Sequence, residues 1–301
     1  MRTLTFSLIR WIGFTFGLFL GIEAHAALKV AVSIAPQAYL VKRIGGVQVE
    51  TLTLVQPGDS EEAYQWTIDQ RKQLSESQVY FYIHLPFESV LIDQLQKENE
   101  KRSHKIRIVD NCDGIEWLQM DGGCSCCHKE SGAHAHFQDP HVWMSPMNMS
   151  LMAKTMAKVL MDLDPAFAPV YQKNLVALQE ELAALHAELN AMLTPFKGRT
   201  MLVFHPSYGY FTKAYGLNQM AIEKDGKEPN PMEFKLLMEA IAKDQKELKA
   251  IFVQPNFSTE KAATLAKSCN LLLVSLDPLA EDYIAGMRQL AQKIVDTWVS
   301  P

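Results

Sequence analysis

One long apolar stripe restricts this chain more than any other feature. Tyr171, Leu175, Leu178, Leu182, Leu185, Leu189 and Met192 recur at alternating steps of four and three, which places them on one face of an α-helix. Asp164 can cap that helix, Pro165 can open it and Pro195 closes it. About 29 residues at 1.5 Å each give roughly 43 Å, longer than a small domain is wide. Such a helix is either a coiled-coil dimerisation arm or a strut between two lobes, and its flanks favour the strut. Before it, apolar runs at 27–33, 47–54, 79–83 and 106–109 alternate with helical patterns at 38–44 and 87–95. After it come apolar runs at 201–204, 250–253 and 271–276 and helical patterns at 232–242, 259–268 and 280–299. Asn230-Pro231 with Glu233 is a good helix start: a capping side chain, Pro at the first position and an acid in the first turn. Strand alternating with helix argues for sheets covered on both faces. The expected fold is α/β, with two lobes (27–163 and 195–301), each a mainly parallel sheet flanked by helices. One long helix, 164–194, joins them. A stiff strut keeps lobe motion small and leaves the site between the lobes largely preformed.

The amino terminus reads as an address. Arg2 and Arg10 precede the uncharged apolar run 11–22, and Ala24-His25-Ala26 puts small residues before a cut at Ala27. The run is too short to cross a bilayer, which needs about 20 residues. The first cysteine, Cys112, is far from the cut and cannot carry a lipid there. Residues 1–26 are therefore expected to be a signal peptide, and a Gram-negative periplasm suits the exported remainder. With 29 basic and 34 acidic side chains and a net charge of −5, the chain has no basic field, which argues against nucleic acid as a partner. A monomer is expected.

Metal-ligating chemistry is concentrated unevenly. Cys124, Cys126, Cys127, His128, His134 and His136 crowd into a loop at 122–138, and thiolates with imidazoles favour Zn²⁺ and copper. Disulfides are the alternative reading in an oxidising compartment. Five cysteines cannot all pair, and neighbouring Cys126 and Cys127 cannot join without strain. Beyond the loop, Asp139-Pro-His141-Val-Trp143 stiffens a histidine between prolines and leads into a helix near Met147. His205 ends the strand at 201–204 and Asp277 ends the strand at 271–276. Residues at the carboxyl ends of strands face the crevice where α/β sheets bind ligands. Each alone could be a turn residue; together they point to a metal site between the lobes. His84 also follows a strand and is read as an ordinary strand-end polar group.

Asp139-Pro-His-Val-Trp143, Phe204-His-Pro-Ser-Tyr-Gly-Tyr-Phe211 and Leu276-Asp-Pro-Leu279 resemble the periplasmic metal-binding proteins of zinc and manganese ABC importers. Pro57-Gly58 with Tyr64 and Thr67 is similar to that family's first ligand loop. The resemblance covers the whole chain after the leader. It implies four ligands at the interlobe cleft, two from each lobe, and delivery of the ion to a membrane permease. His141, His205 and Asp277 carry over as ligands. Where the family has a histidine in its first loop, residues 57–64 read Pro-Gly-Asp-Ser-Glu-Glu-Ala-Tyr and place Glu62. A carboxylate can ligate there, so the implied set is Glu62, His141, His205 and Asp277, with Asp59, Glu61 or water as alternatives at the first position. Two carboxylates neutralise a divalent ion, and oxygen ligands move preference toward Mn²⁺ or Fe²⁺. His205 and the loop before Asp139 match the family's zinc branch, so Zn²⁺ leads. The family's carboxyl-lobe disulfide is not evident, because Cys269 is the only cysteine after 127; a buried thiol is expected.

Two other classes compete with transport. A zinc hydrolase could use Glu62 or Glu281 as general base, but no His-Glu-x-x-His motif is present. Four protein ligands would also leave no reactive position on the metal. An adhesin or a periplasmic metal buffer would need no permease.

Overall fold

The computed structural model describes residues 26–56, 58–119, 138–223, 230–243, 248–255 and 259–300. The leader, apart from Ala26, and the Cys/His loop between 120 and 137 lie outside these residues.

The first lobe runs β1 (Leu28–Val32), α1 (Ala35–Gly45), β2 (Val49–Thr53), α2 (Ile68–Ser75), β3 (Val79–Tyr82), α3 (Glu88–Asn99) and β4 (Arg107–Asp110). It is followed by α4 (Pro146–Leu163) and the long α5 (Ala168–Leu193). The second lobe runs β5 (Thr200–Val203), α6 (Gly209–Tyr215), β6 (Asn218–Ala221), α7 (Pro231–Lys243), β7 (Ala250–Val253), α8 (Thr259–Cys269), β8 (Leu272–Ser275) and α9 (Tyr283–Val299). The two sheets share one topology: β2-β1-β3-β4 and β6-β5-β7-β8, every pair parallel. In each, the chain moves to one side of the first strand and then returns to the other, so the strand order reverses there. A reversal of this kind opens a crevice at the carboxyl ends of the strands. His205 lies two residues past the end of β5, the strand at that reversal.

The α/β, two-lobe architecture expected from the sequence is present, with element ends shifted by a few residues. Asn230 caps α7, its Oδ1 accepting from Met232 N at 3.0 Å. The long helix begins later than expected. Pro165–Phe167 form a 3-10 turn, and Asp164 Oδ2 accepts from the Tyr171 hydroxyl at 2.8 Å, pinning the corner between α4 and α5. Six stripe residues from Tyr171 to Leu189 are buried; at the end of the helix Leu193 is buried and Met192 only partly so. α5 packs against α1, α4 and α9. One continuous apolar core therefore runs from β1 and β3 through α5 to Met287, Leu290 and Ile294 of α9. A second core, including Leu202, Ile251 and Leu265, fills the other face of the second sheet. Sharing the main core between lobes opposes a wide hinge, since separating them would expose apolar surface at about 25 cal/mol per Å².

One buried acid supports the first lobe. Glu88, in the first turn of α3, accepts from Leu85 N (2.7 Å), Ile83 N (3.0 Å), the Tyr80 hydroxyl (3.1 Å) and the Ser33 hydroxyl. The two amides flank His84, whose φ of +66° is costly for a residue with a Cβ. Burial outweighs the four bonds and pushes the Glu88 carboxyl up from 4.5 to about 7. Between those values the folded chain holds a proton that the unfolded chain has lost, so stability should fall as pH rises through this window. Urea unfolding at pH 5, 6 and 7.5 checks this, and Glu88→Gln should flatten the slope.

Candidate metal centre

Four carboxylates and two imidazoles converge where the lobes meet. His141 lies in the turn before the 3-10 segment Val142–Met144 and is fully buried. Asp139 Oδ1 accepts from both the His141 amide (2.9 Å) and its Nδ1 (2.7 Å). Asp139 is itself held by its amide to Leu118 O (2.8 Å), beside an antiparallel bridge between Gln119 and Gln138. On its far side lies Gly209: a Cβ there would come within 2.5 Å of Asp139 Oδ2, so the absence of a side chain makes room for the carboxylate. The Trp143 ring lies against His141, and its Nε1 donates to Pro278 O at 2.9 Å, tying this turn to the second lobe.

His205, also buried, stands between two acids. Its Nδ1 is 3.0 Å from Glu223 Oε2 and its Nε2 is 3.1 Å from Glu62 Oε1. Burial works against an imidazolium, but the bonds to Glu223 and Glu62 outweigh it and push His205 up to about 9. Burial likewise tends to raise Glu62, and the bond and charge of His205 with the charge of His141 bring it below its ordinary value. The two imidazole rings are 5.4 Å apart.

Glu61 and Glu62 come from the loop after β2. Val55 N bonds Ser33 O at 2.9 Å, Gly58 turns the chain at φ +92°, and the Tyr64 ring packs on Phe87. Asp59 stays in the turn, its Oδ2 accepting from Gln56 N at 3.2 Å. Glu61 is turned inward with 1% of its surface exposed, and its Oε1 is 3.9 Å from His141 Nε2. Among the described residues neither oxygen of Glu61 has a hydrogen-bond partner, and nor does His141 Nε2. A buried carboxylate without a partner costs several kcal/mol, and unsatisfied atoms of this kind mark a place for water or an ion.

Of the four residues proposed from sequence, the structure brings three together: single ligand atoms of Glu62, His141 and His205 lie within 4.8 Å of one another. Ligands about 2.0–2.2 Å from a zinc ion require closure on the order of 1 Å from such spacing. Asp277 and Glu61 are outside that group. Asp277 is exposed, and its Oδ1 accepts from Leu279 N at 2.9 Å, satisfying its own turn. It lines a cavity of about 130 Å³ between the lobes with Gln56, Asp59 and Glu281. Tyr208, whose hydroxyl donates to Leu276 O at 3.2 Å, feels both the Glu61 and Asp277 carboxylates. Glu223 had no signal in local sequence; it sits beside His205 because parallel pairing continues past β6, with Glu223 N bonded to Phe204 O at 2.9 Å. His84 is paired with Asp110 at 2.9 Å, as a strand-end polar group. Cys269 is buried with its Sγ 3.7 Å from Met238 Sδ.

Two parallel α/β lobes on a shared helix, closing on a buried group of histidines and carboxylates, define a metal-binding solute-binding protein of the ABC-importer type. Residues 30–297 match the family described as "ZnuA: Zinc-uptake complex component A periplasmic", and the chain belongs to that family. A solved structure, "Crystal structure of ZnuA", is 34% identical, with a TM-score of 0.81 over 90% of this chain and 99% of that one. A "Putative metal-binding protein" of Chlamydia muridarum is 26% identical across 94% of this chain and 97% of its own length. "Manganese ABC transporter substrate-binding lipoprotein PsaA" of Streptococcus pneumoniae is 25% identical across 89% and 88%. The family is one of extracytoplasmic substrate-binding proteins. Among the described residues no helix is long and apolar enough to cross a membrane.

Proposed function

We propose that this chain captures zinc in the periplasm, after removal of residues 1–26, and hands the ion to an ABC permease. The observation that carries this reading is the pair of buried groups without hydrogen-bond partners, the Glu61 carboxylate and His141 Nε2, set beside the Glu62–His205 pair. A divalent ion would satisfy all of them at once. The proposed ligands are Glu62, His141 and His205, completed by a further carboxylate. Glu61 has the better case for that place, since it is buried and faces His141, whereas Asp277 must first break its bond to Leu279. Two imidazoles with two carboxylates suit four-coordinate zinc and neutralise its charge. The family match described as zinc-uptake favours the same ion. The oxygen donors favour Mn²⁺ or Fe²⁺ more than an all-histidine set would, and a manganese ABC relative exists. Four protein ligands would fill the coordination of zinc and leave no position for a reactive water, which argues against hydrolysis.

Calorimetric titration of the mature protein with Zn²⁺ and Mn²⁺ tests the reading. One tight zinc site per chain, weaker for manganese, is expected; the reverse order would assign the site to manganese. Glu61→Gln should weaken zinc binding more than Asp277→Asn. The opposite ranking would restore Asp277 as the fourth ligand.

A further inference from the structure

Glu223 is the one acid at the centre that belongs to no recognisable motif, yet its placement is among the most constrained. Ile222 N bonds Val203 O at 2.9 Å and Glu223 N bonds Phe204 O at 2.9 Å, so the β5–β6 ladder runs on and delivers Glu223 alongside His205. Its side chain is 10% exposed and lies 3.0 Å from His205 Nδ1. On the opposite nitrogen stands Glu62 at 3.1 Å. A neutral imidazole between two carboxylates can carry its proton on either nitrogen, and only the nitrogen without it can meet an ion. What separates the two tautomers is which acid is fixed by backbone pairing. Glu223 is fixed through the sheet, while Glu62 lies on a loop. At the other histidine Asp139 plays the same part locally, bonding His141 Nδ1 and its amide together. In both cases Nδ1 meets an outer acid, Asp139 or Glu223, and Nε2 faces Glu61 or Glu62.

We propose that Glu223 is a positioning residue for metal capture: by holding Nδ1–H of His205 it makes Nε2 the nitrogen that meets the ion. This rests on the reading of His205 as a ligand. Outer partners of metal-bound histidines fix the tautomer and ring orientation and raise the basicity of the ligand nitrogen. Here that partner comes from the second lobe's sheet, so His205 approaches the ion in one pose although Glu62 competes for it.

The test is ¹⁵N-histidine NMR of the zinc-loaded protein, with zinc affinity measured by chelator competition, for wild type, Glu223→Gln, Glu223→Asp and Glu223→Ala. In the wild type zinc should shift Nε2 of His205 while Nδ1 keeps its proton. Glu223→Ala should lose about 10–100-fold in affinity, the usual cost of removing such a partner, and its His205 should show both nitrogens in exchange. Glu223→Gln, whose amide oxygen can still accept from Nδ1–H, should keep the wild-type ring pose and lose less than about 10-fold, below that range. A purely structural acid would not separate Gln from Ala in the ring pose. If the Ala variant does not fold, Glu223→Asp carries the test: its shorter reach should loosen the ring and weaken binding. Wild-type affinity with an unchanged Nδ1 signal in Ala, or in Asp where Ala is unfolded, overturns the proposal. Absence of any zinc-induced shift at His205 in the wild type instead defeats the ligand assignment itself, and the proposal falls with it.

Discussion

His141→Ala should lower zinc affinity by more than about 100-fold, beyond the 10–100-fold typical of an outer partner. Two things are lost together. The ion loses a nitrogen ligand from a site with few alternatives, and Asp139 loses both the ring it orients and its reason for burial. Glu61 would then lose the imidazole it faces, and a buried carboxylate left with neither ion nor imidazole is strongly unfavourable. His205→Ala should have an effect of similar size, because it strands Glu62 and Glu223 together without the base between them. Competition titration with a zinc chelator checks both. An unchanged tight isotherm for either variant would remove that residue from the site.

Zinc should raise the unfolding temperature of the wild-type protein markedly. A ligand that binds only the folded state at a thousandfold excess over its dissociation constant adds about 4 kcal/mol. At about 2–4 °C per kcal/mol for a chain of this size class, the shift is on the order of 10 °C. It should vanish with excess chelator and fall to about a third or less in His141→Ala, because a site weakened about 100-fold retains about 1.4 kcal/mol at the same zinc concentration. Differential scanning calorimetry at matched pH reads it directly. A shift of full size in His141→Ala would place the stabilising ion elsewhere.

Part of the centre was legible from short-range pattern. Asp139-Pro-His141-Val-Trp143 is a local device, since the acid, the histidine and the helix start lie within one turn of chain. His205 was legible because a histidine just after a buried strand has one general direction to point. Asp277 follows its strand as expected, and only the three-dimensional arrangement reveals that its carboxylate accepts from Leu279 N in the following turn. Only the family resemblance singled out Glu62 in its polar loop, with Glu61 as an alternative; the fold turns Glu61 fully inward and leaves the Glu62 side chain 24% exposed. Glu223 was invisible, since a strand ladder places it, and Gly209 lay in a quoted motif without its role, which is to leave room for Asp139. Elements with weak patterns were also missed, among them the polar α2, in which only Leu74 is buried, and the short edge strand β6.

The amino-acid sequence by itself determined the long helix, the alternation of strands and helices in both lobes and the stiff histidine turn. Each follows from hydrophobic period, proline geometry and capping, which act over a few residues. Tertiary structure alone decided which acids reach the histidines, which nitrogen each ring presents and which carboxylate remains in its own turn. Those outcomes depend on strand order and lobe apposition, which bring together groups far apart in the chain, and no local periodicity encodes a contact of that kind.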